Sequence, residues 1–352
     1  MKLKITLLST LFLLISTLLF AQDEEEEKPG LVISGSVDVY YKYDFSGYVD
    51  QSDGTSNIKT SFADNQNSIS VGMLDVGLSQ TFGKASFVGE FSFGPRSFKS
   101  IPTFQIDAED DININIQNIY MTYAFSDKFS LTAGYMGTFV GYEVISPAAN
   151  FNYSTSYLFS FGPFQNAGFK LDWTIADNFS IMAGVFNDWN VYQDFNGVSD
   201  IGAQIYWAPI DGWDIYLNFL TGSPSGTIID LTTGWQITNA FYLGLNAADY
   251  TAVDSNGGYS GFALYPQFSF TDLFALGLRT EYFATKDYTE ESISYSGSNV
   301  IANTLTGNFY LGPLTFITEL RLDDASDDFF FDSSNNPTSS ASQFLFAAVY
   351  AF

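Results

Sequence analysis

Residues Gln343 to Phe352 read QFLFAAVYAF, and their alternation decides the fold. Phe344, Phe346, Ala348, Tyr350 and Phe352 fall on one face. Gln343, Leu345, Ala347, Val349 and Ala351 fall on the other. Successive side chains of a strand point to opposite faces, so a wholly apolar, aromatic face at a period of two is what a strand against lipid needs. This stretch therefore predicts one stave of a membrane β-barrel. Ending on Phe with no polar tail also resembles the terminal signal by which the barrel-assembly machinery recognises outer-membrane barrels, with Tyr350 and Phe352 as the signal residues.

The other end of the chain agrees. Lys2 and Lys4 precede an apolar run, residues 5–20, broken only by Ser and Thr, and Ala21 precedes an abrupt polar switch. This is the pattern of a secretory signal peptide, residues 1–21, cut after Ala21. The run is short for a helical span. Residues 22–30, QDEEEEKPG, form an acidic tail that Pro29-Gly30 separates from a barrel over 31–352. The expected location is the outer membrane of a Gram-negative bacterium, reached through the periplasm. The chain has no Cys, so neither a lipoprotein anchor nor a disulfide is available.

With 13 Lys+Arg against 39 Asp+Glu, the net charge of −26 excludes nucleic acid as a partner. It also disfavours docking on anionic lipid through a basic patch. Acidic chains are often disordered, but 22 Tyr and 36 Phe supply ample apolar surface. Abundant aromatics at a mean hydropathy of +0.06 fit a barrel that is apolar outside and polar inside. After the leader no apolar stretch is long enough for a helical span, so outer-membrane lipid is met by a closed sheet.

Alternation recurs along the chain, as in Ala167 to Ile175, Trp213 to Phe219 and Phe316 to Leu322. Four turns share one design: Phe125-Ser-Asp-Lys-Phe129, Ile175-Ala-Asp-Asn-Phe179, Ile237-Thr-Asn-Ala-Phe241 and Phe270-Thr-Asp-Leu-Phe274. Asp and Asn suit tight turns because they bond the local backbone. Gly83-Lys84, Asp211-Gly212 and Gly312-Pro313 add three more. Longer polar connections alternate with them, near 46–65, 95–111, 143–165, 190–198, 222–227, 253–258, 286–298 and 323–341. The fold class is thus all-β: a closed antiparallel transmembrane β-barrel of about 16 strands, with 14 to 18 admitted by the pattern. Aromatics beside the tight turns form the expected interfacial girdle. Segments near 112–125 and 259–270 break phase and predict a bulge or a miscounted strand.

The chain has no His, which removes Ser-His-Asp hydrolysis and His metal sites. There is no Gly-rich phosphate loop, and Asp50 to Gly54 lacks the calcium-ligand series. No enzyme activity, cofactor or metal is expected. Attention passes to the lumen. Expected pore-lining acids are Asp38, Glu90, Asp172, Asp188, Asp214, Asp230, Glu281 and Glu319; the bases are Lys42, Lys170, Arg279 and Arg321. Acids dominate, so small hydrophilic solutes or cations are the expected cargo. The bland alternative is a hydrated lining held by cross-strand pairs such as Arg279/Glu281 and Glu319/Arg321. Residues 143–165 carry Phe151, Tyr153, Tyr157, Phe159, Phe161 and Phe164. A long loop so rich in aromatics is poorly suited to water, and it is expected to fold inward and narrow the pore after the fifth strand. Packing on neighbouring loops or on a subunit partner is the alternative.

Asn152-Tyr-Ser-Thr-Ser-Tyr-Leu-Phe-Ser-Phe-Gly-Pro163, with Gly168 and Lys170 on the next strand, resembles the signature of the OmpL-like β-barrel porin family. Ser34 to Tyr41 and Val185 to Trp189 are similar too. The resemblance spans the mature chain and implies a porin without an assigned substrate. Family members often carry a basic residue in the Asn-Tyr-Ser segment, where this chain has Thr155 and Ser156, which puts anion binding there in doubt. Three functions share this fold. One is a passive diffusion porin, as a monomer or homo-oligomer. Another is a specific transporter of a sugar-like or hydrophobic solute that stacks on the aromatic loop. The third is a structural or adhesive barrel whose acidic loops, Asp107 to Asp111 and Asp323 to Asp328, bind divalent ions.

Overall fold

The computed structural model describes residues 30–100, 104–105, 113–195 and 197–352. The expected signal peptide, the acidic tail up to Pro29 and the stretch Asp107 to Asp111 lie outside the described residues. Sixteen strands build one barrel. They are β1 (Val32–Asp44), β2 (Ser68–Phe82), β3 (Ala85–Phe93), β4 (Asn113–Ser126), β5 (Phe129–Gly137) and β6 (Gln165–Ala176). Next come β7 (Phe179–Phe186), β8 (Asp200–Trp207), β9 (Trp213–Gly222), β10 (Gly226–Gln236) and β11 (Phe241–Thr251). The last are β12 (Gly258–Thr271), β13 (Phe274–Thr285), β14 (Asn299–Leu311), β15 (Leu314–Ala325) and β16 (Ser340–Ala351). Each pairs antiparallel with its sequence neighbours, and β1 pairs with β16 as well as β2. Closure removes the unpaired edges that a membrane cannot tolerate.

The C-terminal alternation holds. Phe346 and Tyr350 are each 43% exposed on the outer face, whereas Leu345 and Ala347 are fully buried on the inner face. That inner face is apolar because it packs on Tyr40, Ile317 and the loop residue Tyr153. Phe352 lies past the strand and exchanges both backbone hydrogen bonds with Gly35, at 2.9 Å each, closing the seam. Deleting Phe352 removes that pair together with the terminal aromatic. The expected result is a lower yield of folded barrel in membranes, read by heat-modified gel mobility; a normal yield would contradict the role given to this residue.

The seven tight turns lie on one rim and the longer connections on the other. The connection between β9 and β10 is shorter than expected, only residues 223–225. Four of the five Trp, Trp173, Trp207, Trp213 and Trp235, point outward beside the short-turn rim, where the aromatic belt of a barrel belongs. Trp213 and Trp235 stack at 4.9 Å, and Phe125/Phe129 and Phe270/Phe274 pair at 5.6 and 5.7 Å.

One of the two expected irregularities is a bulge. Glu90 opposes Asn118 but Phe91 opposes Ile116, so Gln117 is the extra residue. The bulge sets two amides side by side against one carboxylate. Gln117 Nε2 and Asn118 Nδ2 donate to the two oxygens of Glu90 at 2.9 and 2.5 Å. The other expected irregularity lies at the short-turn end of its segment: β12 runs against β13 in one register from Tyr259/Thr285 to Ser269/Ala275, then slips at Phe270, so that Thr271 opposes Phe274. Its pattern blurs because Tyr259, Ala263 and Tyr265 point inward and are buried, so both faces read as apolar.

Candidate functional site: the barrel interior and its folded-in loops

A non-repetitive segment inside a barrel carries bare N–H and C=O groups, each costing about 1–3 kcal/mol if left without a partner. In this chain the barrel wall supplies those partners. The segment 138–164 leaves β5 and returns to β6, with Thr138 N–H donating to the Phe164 carbonyl at 3.0 Å. From there it reaches across to β13 and β15. Glu319 accepts the N–H groups of Tyr153 (2.7 Å) and Ser154 (3.2 Å). Glu281 accepts those of Tyr157 (2.9 Å) and Leu158 (2.7 Å). Arg279 donates to the carbonyls of Ser154 (2.6 Å) and Thr155 (3.2 Å), and Arg321 donates to that of Thr155 (2.9 Å). Hydrogen bonds to ionised groups are the stronger kind. The loop closes the set itself: Glu143 accepts from Ser156 N–H and from Arg279, both at 2.7 Å.

Two other connections join this core. A short helix α1 (Pro95–Ser100) follows β3, and its Arg96 donates to the carbonyls of Ile145 and Tyr153 at 3.1 and 3.0 Å. Its guanidinium lies between the rings of Phe62 and Tyr153, 4.5 and 4.7 Å from their centroids. From the connection between β1 and β2, Ile58 offers its carbonyl to Lys42 (3.0 Å) and Thr60 offers its carbonyl to Thr155 (2.5 Å). A second helix, α2 (Tyr157–Phe161), is capped by Ser156, whose side chain accepts from Phe159 N–H at 3.1 Å. Around it Val140, Tyr157 and Leu158 pack on wall residues Phe186, Leu220, Ile228, Tyr259 and Phe283. Burial holds the Tyr153 and Tyr157 phenols well above their ordinary range, so both remain donors, to Asp38 and Asp323 respectively.

This geometry relocates several expected residues. Arg279 and Glu281, and Glu319 and Arg321, do not form ion pairs with each other. The loop's peptide groups take both carboxylates, and the ion pairs formed are Arg279–Glu143 (2.7 Å) and Arg321–Asp323 (2.8 Å). Asp38, Lys42, Asp230, Arg279, Glu281, Glu319 and Arg321 are at most 2% exposed, so they face packed loop rather than water. Asp230 is shared by Gly141 N–H, Asn218 and Asn246. Lys170 and Asp172 do pair, at 3.1 Å and half-buried. Asp214 is exposed and accepts from Tyr206 (2.7 Å). Asp188 lies beyond the end of β7 in a long-rim connection, where Ser199 donates to it at 2.6 Å, because β7 stops at Phe186. Asp323 is likewise no surface ligand: it lies on β15, fully buried against Arg321.

Of the loop aromatics, Tyr153, Tyr157 and Phe159 are buried in the packing. Phe164 packs on Phe62 and Phe159, and Phe161 lies 4.8 Å from the Phe283 ring. Phe151 is half-buried and borders a cavity. The buried three offer no free ring face to a solute. Sequence reading missed Glu143 and Arg96 as clamp residues. The only signal for Glu143 was its place at the head of the distinctive loop, and for Arg96 its rarity among 13 Lys+Arg. Among the described residues no group of three or more acidic side chains is placed to hold a metal ion.

The family model described as "Putative beta-barrel porin-2, OmpL-like" matches residues 30–352. The chain belongs to that family. No curated protein matches it in sequence. Solved structures are similar at low identity. The trimer form of Vibrio cholerae OmpT is 11% identical, with 92% of this chain and 99% of that chain covered at a TM-score of 0.59. The channel DcaP of Acinetobacter baumannii is 10% identical, with 95% and 100% covered at 0.56. The anion-selective porin from Comamonas acidovorans is 10% identical, with 92% and 99% covered at 0.57. At such identities the likeness shows the fold alone. The OmpL-like chain is an outer-membrane protein, and its short-turn rim is the periplasmic one.

On the periplasmic side of the clamp this porin-family barrel keeps open space. One cavity of about 480 Å³ is bordered by Tyr142, Phe151, Gln236, Tyr242, Tyr265 and Gln267. Another of about 530 Å³ adjoins it, bordered by Gln204, Asp214, Tyr216 and Thr232 and sharing Tyr142, Gln236 and Tyr242. A third, of about 330 Å³, lies across the lumen beside Ser36, Asp75 and Glu90.

Proposed function

We propose that this chain is a narrow diffusion porin that prefers cations, performs no catalysis, and has its tightest section where segment 138–164 crosses the lumen. One observation carries the charge preference. The bases Lys42, Arg96, Arg279 and Arg321 are buried in the loop clamp, whereas Asp214 and Glu90 border the open cavities. Charges that border water set the local potential felt by a passing ion, and clamped charges already hydrogen-bonded to the loop contribute far less. The aromatic loop supports constriction better than solute stacking, since its central rings are packed away. The trimer form of the Vibrio cholerae relative supports a homo-oligomer here as well.

The test is the reversal potential across a planar bilayer under a potassium chloride gradient. A cation-favouring potential that moves toward anions in Asp214→Lys is expected. An anion-favouring potential in the unaltered protein would overturn the preference, and a folded barrel that gives no steps would overturn the channel itself.

A further inference from the structure

We propose that the two adjoining periplasmic-side cavities form a binding site for a short neutral oligosaccharide. Together they make one recess on β8 to β12, because both are bordered by Tyr142, Gln236 and Tyr242. Each volume lies within the roughly 300–1,000 Å³ of ordinary small-molecule sites. The lining combines two kinds of group. Tyr142, Tyr216 and Tyr242 border the space with flat apolar rings; Tyr142 is backed by the buried Tyr265 at 4.3 Å, and Tyr216 lies 5.0 Å from Tyr206. Amides and hydroxyls surround them, with Gln204, Thr232, Gln236, Asn239 and Gln267 bordering the space.

A pyranose has the complementary form. Its C–H face is apolar and suits an aromatic ring, while its rim of hydroxyls both donates and accepts. Asn, Gln and Thr side chains do both as well, so each can serve a hydroxyl in either sense. Among the described residues no Lys or Arg borders either cavity, which disfavours an anion. Of the two acids present, Glu143 is already held by Arg279 and Asp214 by Tyr206. The recess is also kept open by the backbone. A Cβ at Gly244 would collide with the Tyr142 ring, and one at Gly234 with the Tyr242 hydroxyl, so both wall positions need glycine for these phenols to sit where they do. Those two hydroxyls meet at 3.0 Å and fix the rings that divide the recess.

This site depends on the porin reading only for the route by which a sugar arrives, so binding is measured without transport. Refolded mature protein in detergent is titrated calorimetrically with maltotriose, cellotriose and chitotriose, and with citrate as the anionic control. Saturable binding of at least one trisaccharide is expected, with a Kd on the order of 1 mM or tighter. Gln236→Leu and Tyr242→Leu, each checked for folding by heat-modified mobility, should weaken it about tenfold or more. Gln236 is exposed on the rim, so its variant reports binding even if Tyr242→Leu folds poorly. Three outcomes overturn the site: no trisaccharide saturates, the folded variants bind as the unaltered protein does, or citrate binds as well as the sugars. Sugar binding by a protein that conducts no ions would refute the porin reading and leave the site intact.

Discussion

Removing residues 152–162 is expected to raise single-channel conductance severalfold while the barrel still folds. The sixteen ladders do not use these residues; every wall strand pairs with its neighbours without them. What the deletion removes is the piece that takes up Glu281, Glu319 and Arg321 and that packs against Tyr259 and Phe283. In a shortened loop those charges meet water instead. Hydration replaces their lost partners, so the stability cost is smaller than that of stranding a charge in a dry site. The measurement pairs planar-bilayer conductance with heat-modified gel mobility. Unchanged conductance from a folded variant would mean that the segment does not set the narrowest section.

Arg279→Ala has the opposite character, since it removes one partner and leaves the rest in place. Arg279 is fully buried, and it holds Glu143 as well as the carbonyls of Ser154 and Thr155. Its loss leaves the Glu143 carboxylate buried without its cation and the Ser154 carbonyl without its donor, while Thr155 keeps Arg321, and breaking a buried pair in this way costs about 3–5 kcal/mol. Lys286→Ala is the control, because the Lys286–Asp249 pair is largely exposed and such pairs contribute about 1 kcal/mol or less. Arg279→Lys should fall between them, as an ammonium cannot fork to several acceptors as guanidinium does. Urea unfolding in lipid, followed by tryptophan fluorescence, reads all three. Equal midpoints for Arg279→Ala and Lys286→Ala would show that the clamp carries no stability.

The wall of this barrel was legible in the sequence because lipid imposes a strict rule on half its residues. Phe346 and Tyr350 must be apolar and Leu345 must turn inward, so a period of two survives along the strands except where a bulge such as Gln117 interrupts it. The turns were legible because Asp and Asn at fixed offsets bond their own backbone. The interior was less legible. An inward Arg279 has the same sequence pattern whether it faces water or a loop carbonyl, so alternation placed it on the correct face but gave the wrong partner. Inward Tyr259 and Tyr265 blurred the phase of β12, whose one register slip sits at Phe270, because they pack on a loop more than a hundred positions away. Arg96 and Glu143 lie outside any strand, where no periodicity marks them.

The central claim is that segment 138–164 sits inside the barrel, held to the wall, and one cross-link tests it directly. Ser36 Oγ on β1 and Ser146 Oγ on the segment are 3.5 Å apart, and the chain has no cysteine of its own. A disulfide requires Cβ atoms about 3.5–4.5 Å apart, so it forms only if the two elements already lie together. The Ser36→Cys/Ser146→Cys double variant, oxidised in intact outer membranes, should cross-link nearly to completion. The product should run faster on a non-reducing gel, with conductance unchanged from the reduced form. Two free thiols that both react with a maleimide in a folded barrel would place the segment elsewhere and contradict the account.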